Sequence, residues 1–200
     1  MTINLSGISF LVLLGLSMVS PILPSYAESF HVSYALVGLI VSAFGLSRIF
    51  MDLPVGIIAK RFNKKYFMII GLFLVSASSI LAGTALDYFM LLIARFIEGA
   101  GSAIYITTAS ILLGQEAVGE RRGTLMSLFS GMLLLGAIFG PTFGGVLATI
   151  YSIHAPFFAY AIVTFLGILV SFFLPKESKS ASPSNTSNTF HISEIKKILS

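Results

Sequence analysis

Residues 48–65 read RIFMDLPVGIIAKRFNKK. The stretch is the end of a long apolar segment that stops in a cluster of cations: Lys60, Arg61, Lys64 and Lys65. An apolar run that ends at such a cluster reads as a membrane-spanning helix meeting the cytoplasm. Inside the apolar part, Arg48 and Asp52 stand four residues apart. Ionised groups at that depth are costly unless they pair or face water, so both are functional candidates.

The rest of the chain has the same character. Of its 200 residues 56% are hydrophobic and only 10% charged, with mean hydropathy +0.96. A soluble domain carries about 25% charged residues, so this composition describes an all-α integral membrane protein. Cysteine is absent, which removes disulfides and thiolate metal sites, and tryptophan is absent too. Six apolar segments can be marked, at about 5–24, 34–59, 66–86, 88–113, 124–149 and 156–175, each near the 20 residues that cross a bilayer. The first is not read as a cleaved signal peptide, because no Lys or Arg precedes it and Pro21 and Pro24 interrupt it.

Ten of the twelve Lys and Arg residues lie between segments two and three, between four and five, or after six. The intervening connections 25–33, 87 and 150–155 hold none. That asymmetry predicts a multi-pass protein of the cell membrane with both termini cytoplasmic. It also assigns the net charge of +4 to membrane orientation rather than to a nucleic-acid partner. The six spans form a transmembrane domain over 1–175. The polar, Ser-rich 176–189 is expected to be a disordered linker, and 190–200 to begin a basic amphipathic helix on the inner surface.

Three constellations lie within the spans. Arg48, Asp52 and Gly56 recur at i, i+4, i+8 on one helical face. They read either as a local ion pair or as a polar face lining a cavity or a helix contact at a gate. In segment four, Arg95 and Glu98 are one turn apart in RFIEGAGSA. At about 1.5 Å per residue Arg48 and Arg95 sit at different depths, so each pairs first with its own acid. Glu98, Ser102 and Tyr105 share a face that would suit a cavity wall. Glu98 there either neutralises Arg95 or also takes and releases a proton. In segment five, GAIFGPTFGG sets Gly136, Gly140 and Gly144 in a small-residue stripe, with Gly145 beside it and Pro141 expected to kink the helix.

Together these motifs resemble the N-terminal half of a major facilitator superfamily transporter, nearest the drug:proton antiporters. GAIFGPTFGG is similar to the antiporter signature of the fifth helix. RFIEGAGSA resembles the fourth-helix motif, whose Arg, at the position of Arg95, is implicated in proton coupling; Glu98 stands where Gln is common. GIIAKRFNKK at 56–65 resembles the gating loop between helices two and three, with Gly56, Arg61 and Lys65 matching and Lys64 beside them. It departs at Lys60, usually Asp, and at Asn63, usually Gly. In the family that Asp helps to lock the closed gate, so Lys60 leaves the lock without its usual residue. The first helix lacks the acid many proton-coupled exporters carry, which throws weight on Asp52 and Glu98.

The resemblance implies a six-helix bundle, one half of a secondary transporter that exports small apolar or amphipathic molecules in exchange for protons. It also implies a second six-helix half, as a continuation, a split partner or a second copy. The proton gradient is the expected energy source, without a cofactor. No Gly-x-x-x-x-Gly-Lys-Ser/Thr occurs to hold ATP and no HExxH-type spacing to hold a metal, so no enzyme is expected. Two alternatives stand. One is a carrier of sugars or organic anions with Arg95 as anchor. The other is a non-transporting membrane protein that binds a partner through its glycine stripe and basic tail.

Overall fold

A computed structural model describes residues 2–59, 63–116 and 121–173. The order is α1 (Thr2–Val19), α2 (Leu23–Glu28), α3 (Tyr34–Ile58), α4 (Lys64–Gly83), α5 (Tyr88–Glu116), α6 (Arg121–Ile150) and α7 (Ala155–Phe173). Five of these are long and apolar enough to cross a membrane, and α1 contributes a shorter apolar stretch, Leu5–Val19. Lys60 and Arg61, the expected linker 176–189 and the expected amphipathic helix 190–200 lie outside the described residues.

The first apolar segment, expected as one span over 5–24, is divided at residues 20–22. Pro21 has no N–H to continue the ladder. The chain restarts as α2, with Pro24 in its first turn, where that missing N–H costs nothing. This turn sends Tyr26 onto the end of α4, where its hydroxyl donates to the Ala82 carbonyl at 3.0 Å. The other ends are capped by ordinary means. Asn63 accepts from the Lys65 N–H at 3.0 Å to start α4, which gives a structural use to the Asn that departs from the loop motif. Asp87 accepts from the Met90 N–H at 2.7 Å to start α5.

The main helix pairs are α1 with α6, α3 with α5, α4 with α5, α1 with α7, and α4 with α7. This pattern maps onto itself when α1, α3 and α4 are exchanged with α5, α6 and α7. The contacts of α1, α3 and α4 thus mirror those of α5, α6 and α7. The exchange also relates α3 to α6, the two least covered of the spans. Large apolar side chains such as Leu53, Phe73, Ile93, Ile138 and Phe165 point outward, as a lipid-facing surface requires.

Close backbone approach is built by glycine. The stripe on α6 meets α1: a Cβ added at Gly136 would lie 2.6 Å from the Phe10 carbonyl oxygen, and one at Gly140 2.6 Å from that of Leu14. A Cβ at Gly144 would run into the Met18 carbonyl, whereas Gly145 faces open space. Helix α6 continues through Pro141, and α3 through Pro54, a proline to which the sequence pattern alone draws no notice.

Candidate functional site

Charges inside the bundle are held mainly by α3 and α5, which lie close because Gly99 abuts the Phe44 carbonyl. Arg95 and Glu98 form a direct pair, Nη1 donating to Oε2 at 2.7 Å. They are 2% and 0% exposed respectively, among the most enclosed side chains of the described residues. The guanidinium also sits 5.6 Å from the centre of the Phe44 ring, so the α3 aromatic face takes up part of its charge. Arg95 Nε and Glu98 Oε1 have no hydrogen-bond partner within the described protein.

The second pair is looser. Arg48 Nε and Asp52 Oδ2 are 3.8 Å apart, with side chains 31% and 41% exposed. The other carboxylate oxygen, Oδ1, accepts a 2.6 Å bond from the Thr107 hydroxyl of α5. Asp52 is thus bound more tightly across the helix interface than along its own helix. Sequence reasoning misses Thr107, since no spacing rule joins residues 55 apart. Gly56, on the same face, has open space beside it.

The face carrying Glu98, Ser102 and Tyr105 does not line a cavity in this structure. All three are fully buried. Ser102 bonds back to the Gly99 carbonyl at 2.9 Å. The Tyr105 hydroxyl lies 2.9 Å from that of Ser9 on α1. The reason is steric: Gly71 and Gly101 bring α4 and α5 together, a Cβ at Gly101 falling 2.9 Å from the Gly71 carbonyl oxygen. With α1 packed on the same side, no solvent gap is left. At the loop, Lys64 is buried at the start of α4, and Lys65 donates through Nζ to the Phe172 carbonyl at 2.7 Å. A cation there complements the C-terminal end of α7.

A bundle of apolar helices long enough to cross a membrane, with ion pairs inside, is the architecture of a multi-pass membrane protein. Residues 5–200 match the Major Facilitator Superfamily. The chain belongs to that family. It is 33% identical over 170 residues to the multidrug efflux protein YfmO of Bacillus subtilis, covering 84% of this chain and 42% of that protein. With multidrug resistance protein 2 of the same organism it shares 27% over 193 residues, covering 94% and 48%. Quinolone resistance protein NorA of Staphylococcus aureus is 27% identical over 175 residues, covering 88% and 45%. The fold matches the solved peptide transporter POT with a TM-score of 0.75 at 18% identity, over 99% of this chain and 44% of that one. The chain spans a little under half the length of the relatives it matches.

Proposed function

We propose that the chain forms the N-terminal half of a secondary active transporter that exports small apolar or amphipathic compounds in exchange for protons. The observation that carries the reading is the enclosed Arg95–Glu98 pair, in a chain whose relatives include proteins named for multidrug efflux. A carboxylate removed from bulk water, with one oxygen held by Arg95 and the other unpartnered, can be neutralised by one proton without dismantling its surroundings. Substrate and proton would then compete for one rearrangement of α5 against α3. The proton gradient supplies the energy and no cofactor takes part.

Arg95 as the anchor of an anionic substrate is the weaker reading, because its guanidinium is already engaged by Glu98. The complete carrier needs a second six-helix half, which fits the relatives' greater length. With both halves in the cell membrane, the basic 60–65 loop and both termini face the cytoplasm.

The test uses both halves reconstituted in proteoliposomes. Glu98→Gln keeps an oxygen that can accept from Arg95 but cannot carry a proton. It is expected to bind substrate and to lose transport driven by a pH gradient. Retained uphill transport by this variant would reduce Glu98 to a counter-ion and move coupling to Asp52 or to the other half.

A further inference from the structure

Arg95 is enclosed, but the other cation within the spans is not. Arg48 stands two residues from the middle of α3 (Tyr34–Ile58), close to the midplane at which secondary transporters hold their substrates. Its side chain is 31% exposed and that of Asp52 41%, in a span that otherwise exposes large apolar side chains such as Ile49 and Leu53. An ion pair turned towards lipid at that depth is costly, so this flank of α3 fronts a polar space. Val41, Gly45, Arg48, Asp52 and Gly56 follow one another along the flank at intervals of three or four residues. Gly45 and Gly56 have open space where a side chain would stand, and Val41 is exposed. The flank therefore offers room at the ion pair and apolar surface beside it.

Within the pair, the cation is available and the acid is not. Asp52 has both oxygens engaged, Oδ1 accepting from the Thr107 hydroxyl at 2.6 Å and Oδ2 facing Arg48 Nε at 3.8 Å. The second separation is too long for a hydrogen bond and amounts to attraction between charges. Arg48 thus keeps its fork of N–H donors free of hydrogen bonds among the described residues. Thr107 draws Asp52 towards α5 and stops it from closing on the guanidinium. A planar fork with donors to spare matches a carboxylate, which it holds through two parallel bonds. We infer that Arg48 binds the carboxylate of an amphipathic substrate whose apolar body lies along the α3 flank, with Thr107 as the positioning residue that keeps Asp52 off the guanidinium. This role rests on the proposed function and adds the substrate class to it. Arg95, whose acid is bonded at 2.7 Å, has no such freedom.

Scintillation-proximity binding to both halves reconstituted in lipid nanodiscs tests the site, with tritiated 1-naphthylacetate and its neutral isostere 1-naphthylacetamide as probes. The wild type should prefer the acid by about tenfold or more, the worth of a charge-assisted hydrogen bond. Arg48→Gln should abolish that preference. Thr107→Val should reduce it severalfold and Thr107→Ser should restore it, because only the hydroxyl is needed. Asp52→Asn removes the competing anion and keeps an acceptor for Thr107, so it should raise the preference, also in combination with Thr107→Val. An ion pair that only holds the helix together predicts no such gain. Equal binding of acid and amide by the wild type, or no binding of the acid, overturns the site, as does a preference that survives Arg48→Gln. If Arg48→Gln does not fold, a preference in Asp52→Asn at or below that of the wild type overturns it instead. Binding needs no gradient, so the two readings fail separately. A preference abolished by Arg48→Gln, in a carrier that concentrates nothing under a pH gradient, keeps the site and removes proton-driven export. Transport of the amide driven by a pH gradient, with equal binding of both probes, does the reverse.

Discussion

Gly140→Ala puts the α1–α6 contact to a direct test. The added Cβ would sit 2.6 Å from the Leu14 carbonyl oxygen and against the Ser17 side chain. The oxygen belongs to helix backbone, so no rotamer change can move it aside. Ordinary contact begins at 3.4 Å and the Ser17 Cβ lies nearer still, so α1 and α6 must part by roughly 1 Å, and Gly136 and Gly144 lose their fit along with Gly140. Overpacking of this kind costs about 1–3 kcal/mol. Alanine is intrinsically the better helix former by up to about 1 kcal/mol, which works in the opposite direction. Gly145→Ala isolates that second effect, because Gly145 lies on the same helix with open space beside it. The assay is unfolding of the purified chain in mixed micelles by increasing sodium dodecyl sulfate, followed by circular dichroism. Gly145→Ala should match the wild type or exceed it slightly, and Gly140→Ala should fall below Gly145→Ala by about 1–3 kcal/mol. Gly140→Leu should also lower the folded yield. If Gly140→Ala and Gly145→Ala unfold together, the stripe does not pack on α1 and the reasoning fails.

The Asp52–Thr107 bond makes a second prediction for the same assay: Thr107→Val should cost on the order of 1 kcal/mol, since interhelical hydrogen bonds in membranes are modest, and Thr107→Ser should restore it. A Thr107→Val variant as stable as the wild type would show that Arg48 alone suffices for Asp52. Orientation is checked with single cysteines in the naturally cysteine-free chain. A cysteine at Ser29 or Ser152 should react with an impermeant thiol reagent in intact cells and one at Ser178 should not, and labelling at position 178 would invert the topology.

The fold class is legible in the amino-acid sequence alone. Transmembrane helices are specified locally, by some twenty apolar residues at a time, and charge asymmetry between loops is read by counting. Pairs three or four residues apart are legible for the same reason: the helix repeat brings Arg95 to Glu98 and Arg48 towards Asp52 whatever else the chain does. The glycine stripe announces a close approach, because small residues at every fourth position serve little else.

The partners across helices are decided by the tertiary structure. That α6 packs on α1, that Thr107 holds Asp52, and that Tyr160 is seated against Gly15 are facts about residues about 55 to 145 positions apart. Such contacts depend on which backbones fit at close range, and helical periodicity carries no record of that choice. The same limit explains why Ser102 and Tyr105 are buried rather than facing a cavity. A shared helical face says that residues point the same way, but what lies in that direction is set by the neighbouring helices. Here α4 and α1 close over α5 where the periodicity alone allowed a cavity.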